Sequence, residues 1–102
     1  KDGKSALLWA TQKGFVEMVT VLVTAKANLD LVTPDGWSAL HYAAAKGFVD
    51  VVTVLVAANV NLDLVDKDGW SALHWAAYNG FVEVVTVLVA AKANLDLVTP
   101  DG

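Results

Sequence analysis

The chain has 102 residues, with seven Lys and Arg against eleven Asp and Glu, and a formal net charge of −4. An acidic chain without a basic stripe argues against nucleic acid as a partner, and no apolar run reaches the ~18 residues that a membrane span requires. Cysteine is absent, which removes disulfide and thiolate chemistry and leaves compartment and localisation undetermined.

The chain is one sentence said three times. Residues 2–34, 35–67 and 68–100 share nearly the same words at a constant offset of 33, and 101–102 open a fourth copy. The second and third copies differ at 8 of 33 positions, the first and third at 7. Such regularity predicts a single repeat domain over 1–102 before any propensity is weighed. With no initiator Met and no signal-peptide pattern, the chain reads as excised or processed. Hydrophobic residues make up 56 % of it, so some apolar surface is expected to be exposed or to meet a neighbour.

Each copy opens on Asp-Gly, a turn signal because Gly accepts positive φ without steric cost. Ser5, Ser38 and Ser71 follow, each placed to cap a short Ala-rich helix (39–46 and 72–79 in the later copies). Gly14, Gly47 and Gly80 then supply a left-handed stop. The next segment, Phe81-Val82-Glu83-Val84-Val85-Thr86-Val87-Leu88-Val89 in the third copy, is β-branched almost throughout and would pass for a strand. Spacing argues for a helix: Val82, Val85, Leu88 and Val89 lie at helical intervals, and Glu83 sits in the first turn, where the helix dipole favours an anion. Glu17 and Asp50 hold the same place. Such a helix depends on packing rather than on its own preference. An extended arm, Lys92 to Pro100, leads to the next Asp-Gly. A helix pair this short cannot bury its own apolar face, so neighbouring units must stack.

The pattern resembles the ankyrin repeat, whose period is 33 and whose signature reads T-P-L-H-x-A. Ser38-Ala39-Leu40-His41-Tyr42-Ala43 and Ser71-Ala72-Leu73-His74-Trp75-Ala76 stand where the signature stands. Gly47-Phe48-Val49-Asp50-Val51-Val52 is similar to the family's G-H-L-E-V-V, and Asn94-Leu95-Asp96 to its D-V-N. The resemblance implies an all-α repeat solenoid of three stacked helix-turn-helix units. It also implies that His41 and His74 are structural, bonding Ser38 and Ser71 and nearby backbone. Departures are few: Ser for Thr, Ala for Pro, and Lys26, Asn59 and Lys92 where the family ends its second helix with Gly. Asn tolerates the left-handed region, whereas Lys does so at a cost. Leu8 replaces the signature His, and with Lys4, Thr11, Gln12 and Lys13 it makes the first copy look partly adapted as an N-terminal cap. Copies this alike also resemble consensus-designed or engineered arrays more than most natural members.

No catalytic constellation stands out. Two histidines without repeating co-ligands do not make a metal site, and Glu17, Asp50 and Glu83 share one environment, which cannot split pKa values as an acid–base pair requires. No cofactor and no enzyme activity is expected. The aromatics are the sharper signal. Trp37 and Trp70 follow the turn, Trp9, Tyr42 and Trp75 follow the signature histidine position, and Tyr78 lies three residues past Trp75. The resemblance places these on the groove and its turn tips, with Lys46 and Asn79 adding polar contacts. Three readings stay open: a surface that binds a protein or peptide through aromatic anchors, an internal ladder stacking copy on copy, or incidental exposure. The alternative function is a structural array without a native ligand, self-associating end to end through uncapped faces.

Overall fold

The computed structural model describes residues 5–98. These form six helices: α1 (Ala6–Lys13), α2 (Val16–Thr24), α3 (Ala39–Lys46), α4 (Val49–Ala57), α5 (Ala72–Tyr78) and α6 (Val82–Ala90). Ser5, Ser38 and Ser71 begin the first helix of each copy in extended backbone, and each hydroxyl accepts the amide three residues on. Gly14, Gly47 and Gly80 end these helices at φ 76°, 74° and 75°. α5 stops one residue early, at Tyr78.

The β-branched segments are helical, as spacing and the first-turn carboxylate indicate. Thr20, Thr53 and Thr86 donate their hydroxyls back to the carbonyl four residues earlier, so each satisfies its hydroxyl within its own helix. The buried stripe differs from the one expected. In α4 it is Val51, Val52 and Leu55, and in α6 it is Val84 and Leu88 with Val85 half-buried, while Val82 and Val89 are exposed. Spacing had little contrast to work with, because nearly every position in these helices is apolar and several faces satisfy the same intervals. Lys26, Asn59 and Lys92 follow these helices at φ 67°, 65° and 71°, so two lysines hold a conformation that glycine adopts freely.

α3 lies between α1 and α5, and α4 between α2 and α6, giving a layer of first helices against a layer of second helices. The molecule measures 37 × 28 × 20 Å. Among its largest fully buried side chains are Leu8, Leu55, Leu88, His41, Val19, Val51, Val52 and Val84. Thr11 is also fully buried, and its hydroxyl has no hydrogen-bond partner. It occupies the place of Ala44, facing the second copy, so it does not cap the N-terminal end. Lys4 lies outside the described residues.

Between copies the chain runs as an arm that closes on a turn. Asn28, Asn61 and Asn94 each accept the amide two residues on. The Thr33 amide donates to the Trp37 carbonyl and the Gly36 amide to the Thr33 carbonyl, with Pro34 presetting φ at the first corner. Gly36 has φ 82°, and a Cβ there would stand 3.0 Å from the Asp66 Cα and the Lys67 nitrogen. The two successive turns therefore meet backbone to backbone, and glycine is required. Among the described residues no strand forms, only an isolated antiparallel bridge between Val65 and Ser71.

Candidate functional site

The signature histidines come first because they position everything beside them. His41 Nδ1 lies 3.2 Å from the Ser38 amide nitrogen and 2.9 Å from its hydroxyl, and Nε2 lies 2.8 Å from the Trp70 carbonyl. An amide can only donate, so Nδ1 accepts, and the proton sits on Nε2, which donates to Trp70. One side chain thus closes a capping box in its own copy and holds the turn of the next. Burial lowers the His41 pKa; the Trp70 carbonyl and the Asp66 charge oppose that shift without cancelling it. His74 repeats the box with Ser71, and its Nε2 meets the Leu97 carbonyl at 3.0 Å.

With Trp70 and its turn held, five rings make a continuous run. Tyr42 meets Trp37 edge-on with centroids 5.0 Å apart, and Trp37 reaches Trp75 of the next copy at 5.1 Å. Trp75 meets Trp70 at 4.6 Å, and Tyr78 stands edge-on to Trp70 at 5.4 Å and to Trp75 at 6.4 Å. These tilted and edge-on geometries are those aromatic pairs favour. Trp37 and Trp75 therefore stack between copies, as one of the three readings of these residues has it. The rings are not consumed by it: Trp37, Tyr42, Trp70 and Trp75 are half-buried, and Tyr78 is 73 % exposed. Trp9 holds the matching register on α1 and is exposed.

Lys46 and Asn79 are used between copies. Lys46 Nζ donates to the Gln12 carbonyl at 3.2 Å, and Asn79 Nδ2 to the Ala45 carbonyl at 3.0 Å. Both reach back along the stack to the end of the preceding first helix, so their polar atoms serve cohesion before any partner.

Asp66 went unrecognised in the sequence. It is buried, and its Oδ1 accepts the Asp68 and Trp70 amides at 2.9 Å each while its Oδ2 accepts the Trp75 indole N–H at 3.0 Å. Burial alone would raise its pKa; the donors from Trp70, Trp75 and Asp68, with the charge of His41, outweigh burial and leave it lowered. The available signal was a departure from the repeat: Asp66-Lys67 stands where the other copies read Thr-Pro. Lys67 Nζ lies 3.3 Å from Asp35 in an exposed pair of little energetic weight.

Rings, turns and carboxylates together line a cleft of about 450 Å³, bordered by Thr33, Asp35, Trp37, Tyr42, Lys67, Asp68 and Trp75. Among the described residues no group of three or more His, Asp or Glu could hold a metal ion, and no helix is long and apolar enough to cross a membrane.

The family model for ankyrin repeats, three copies, matches residues 7–101. A search of the curated proteins returns no match. Ankyrin repeats generally mediate protein–protein interaction. Three capped helix pairs, the left-handed residue ending each second helix, the histidine that binds one copy to the next, and a match over nearly the whole length make this chain a member of the ankyrin repeat family.

Proposed function

We propose that the chain is a non-enzymatic interaction scaffold that binds a protein or peptide segment across the ring run from Tyr42 to Tyr78 and the turn tips beside it. The observation that carries this reading is the cleft at Trp37, Tyr42 and Trp75, where half-buried rings border an open volume of about 450 Å³. Aromatic side chains offer large rigid contact area at low entropic cost, which is why interfaces use them as anchors. The rings are held by one another and by Asp66, so little ordering remains to be done on binding.

Charge narrows the choice of segment. Asp35 and Asp68 stand at the rim; Asp35 is paired with Lys67, and Asp68 has no ion pair among the described residues. A segment that presents an Arg or Lys side chain to the cleft meets ring faces and a carboxylate together, which a cation prefers to water. Repeat units 2–34, 35–67 and 68–100 act as one domain in this reading, with the second and third forming the cleft.

The test is a peptide array of about twelve-residue segments, each Arg- or Lys-centred sequence paired with its Glu counterpart, followed by titration of hits against tryptophan emission. Binding by the cationic member of a pair, weakened about tenfold in Trp37→Ala with helical circular dichroism intact, is the expected result. Equal binding by Trp37→Ala would remove the cleft from the site.

A further inference from the structure

Four kinds of contact that join one copy to the next have one half at the first copy's outer face and the other half at the last copy's outer face. The Phe48 ring covers Gly14 and the Phe81 ring covers Gly47, each 3.0–3.1 Å from where a Cβ would stand. The series leaves Phe15 53 % exposed with no glycine beneath it, and leaves Gly80 with nothing within 4 Å of its Cβ position. Knob and socket both occur, at opposite ends.

The same holds for the polar ties. Lys46 and Asn79 each donate to the carbonyl 34 residues earlier; the next donor in register is Lys13, and the next acceptor is the Tyr78 carbonyl. Asp30 accepts the Asn61 amide and Asp63 the Asn94 amide; the next pair in register is Asp96 with Asn28. Trp37 meets Trp75; next in register is Trp70 with Trp9.

Burial separates the two faces position by position. Met18 is 51 % exposed where its equivalents Val51 and Val84 are 1 % exposed, so this position looks toward the preceding copy. Ala77 is exposed where its equivalents Thr11 and Ala44 are buried, so that position looks toward the following copy. Phe15, Met18 and Val21 form one open apolar face; Ala77, Val82 and Val89 form the other.

We infer that two molecules of this chain stack head to tail, Phe15 of one seated over Gly80 of the other, carrying the 33-residue register across the molecular boundary. The occupant is a second copy because a second copy presents the knob, the lysine, the asparagine amide and the tryptophan at the required spacing, each already seen in contact within the molecule. Residues 1–3 and 100–102 share register positions and lie outside the described residues; none of these contacts involves them. The contact joins two different faces, so it does not close on itself, and longer stacks follow from the same geometry. This inference is independent of the cleft and survives its failure.

Sedimentation velocity of the full chain across roughly 1 µM to 1 mM tests it. The expected weight-average mass rises from 10.8 kDa to twice that value and beyond. Two variants identify the faces: Phe15→Lys blocks one, Ala77→Lys the other, and both positions are exposed, so helical circular dichroism should persist. Each variant alone should remain monomeric, and an equimolar mixture should give a dimer of one of each and nothing larger. A wild-type chain that stays monomeric throughout overturns the inference. So does association of either variant alone at wild-type strength, which would mean a symmetric contact or a different surface.

Discussion

The junction between the first and second copies and the junction between the second and third are built from nearly the same sequence and are held differently. At the later one, His41 bonds the Trp70 carbonyl, Trp37 stacks on Trp75, and Asp66 grips both the following turn and the following helix. At the earlier one, Leu8 stands in the histidine's place and packs without a polar bond, and Thr11 buries a hydroxyl with no partner where the later junction has Ala44. Shared to both are the Phe-over-Gly contact and one donor reaching back to a helix end. A shared set of apolar and polar contacts thus stacks the copies, and a few polar substitutions set the two junctions apart. Because stability in such arrays is a sum of unit and neighbour terms, the first copy should open before the others, with amide exchange in α1 and α2 faster than in α3 and α4.

The largest change is expected from Gly36→Val, which adds a β-branched residue at φ 82° against the Asp66–Lys67 backbone. A loss of about 3 kcal/mol in urea unfolding would follow from the two penalties together. Asp66→Ala comes next, leaving the Trp70 amide and the Trp75 indole without their acceptor, at about 2 kcal/mol. Asp66→Thr, which copies the Thr33 turn, should recover part of this, since the Thr33 hydroxyl accepts only the Trp37 amide there, at 3.2 Å. Full stability in Asp66→Ala would mean that the carboxylate does not distinguish the junctions.

Thr11→Ala works in the opposite direction. It removes the unsatisfied hydroxyl and installs the residue of the other two copies, so a gain of about 1 kcal/mol is expected, with slower exchange in α1. The smallest effect is that of pH. His41 has a lowered pKa, so the folded state binds fewer protons than the unfolded chain once pH falls below the ordinary histidine value of about 6.5. Stability should fall from there toward the lowered value and then level off. Asp66 is lowered too, so its contribution is present above the usual carboxylate value and is lost only as pH drops through its own, more acidic one. His41→Leu, which turns the later junction into a copy of the earlier, should flatten the slope between about pH 7 and pH 5; an unchanged slope would assign that titration elsewhere.

Much of the fold was legible in the chain because repetition multiplies weak signals. One Ser before one Ala-rich run is a modest cap; three at a spacing of 33, each followed by Gly at the same distance, admit little else. Helicity of the valine-rich segments rested on the first-turn acid and on a period compatible with 3.6 residues, and that sufficed for type. It did not suffice for orientation, since Val82, Val84, Val85 and Val89 carry the same chemistry and only the packed neighbours distinguish them. The aromatic register was readable, but its contact between copies depends on where the turn places Trp37 relative to α5, a distance of 38 positions. Asp66 and Thr11 were missed for a common reason. Each is a polar residue that reads as surface in isolation, and burial is conferred on it by the adjacent copy.

The ring run has an optical consequence. Trp37, Trp75 and Trp70 lie about 5 Å centre to centre, and the first of these contacts spans the second and third copies. Indole transitions at such separation couple, so the dichroism of the native chain should carry an aromatic contribution that changes when those two copies part and the Trp37–Trp75 contact is lost. Backbone dichroism registers every helix equally, and the pair of signals would let one cuvette follow the loosening of one seam against the melting of the whole.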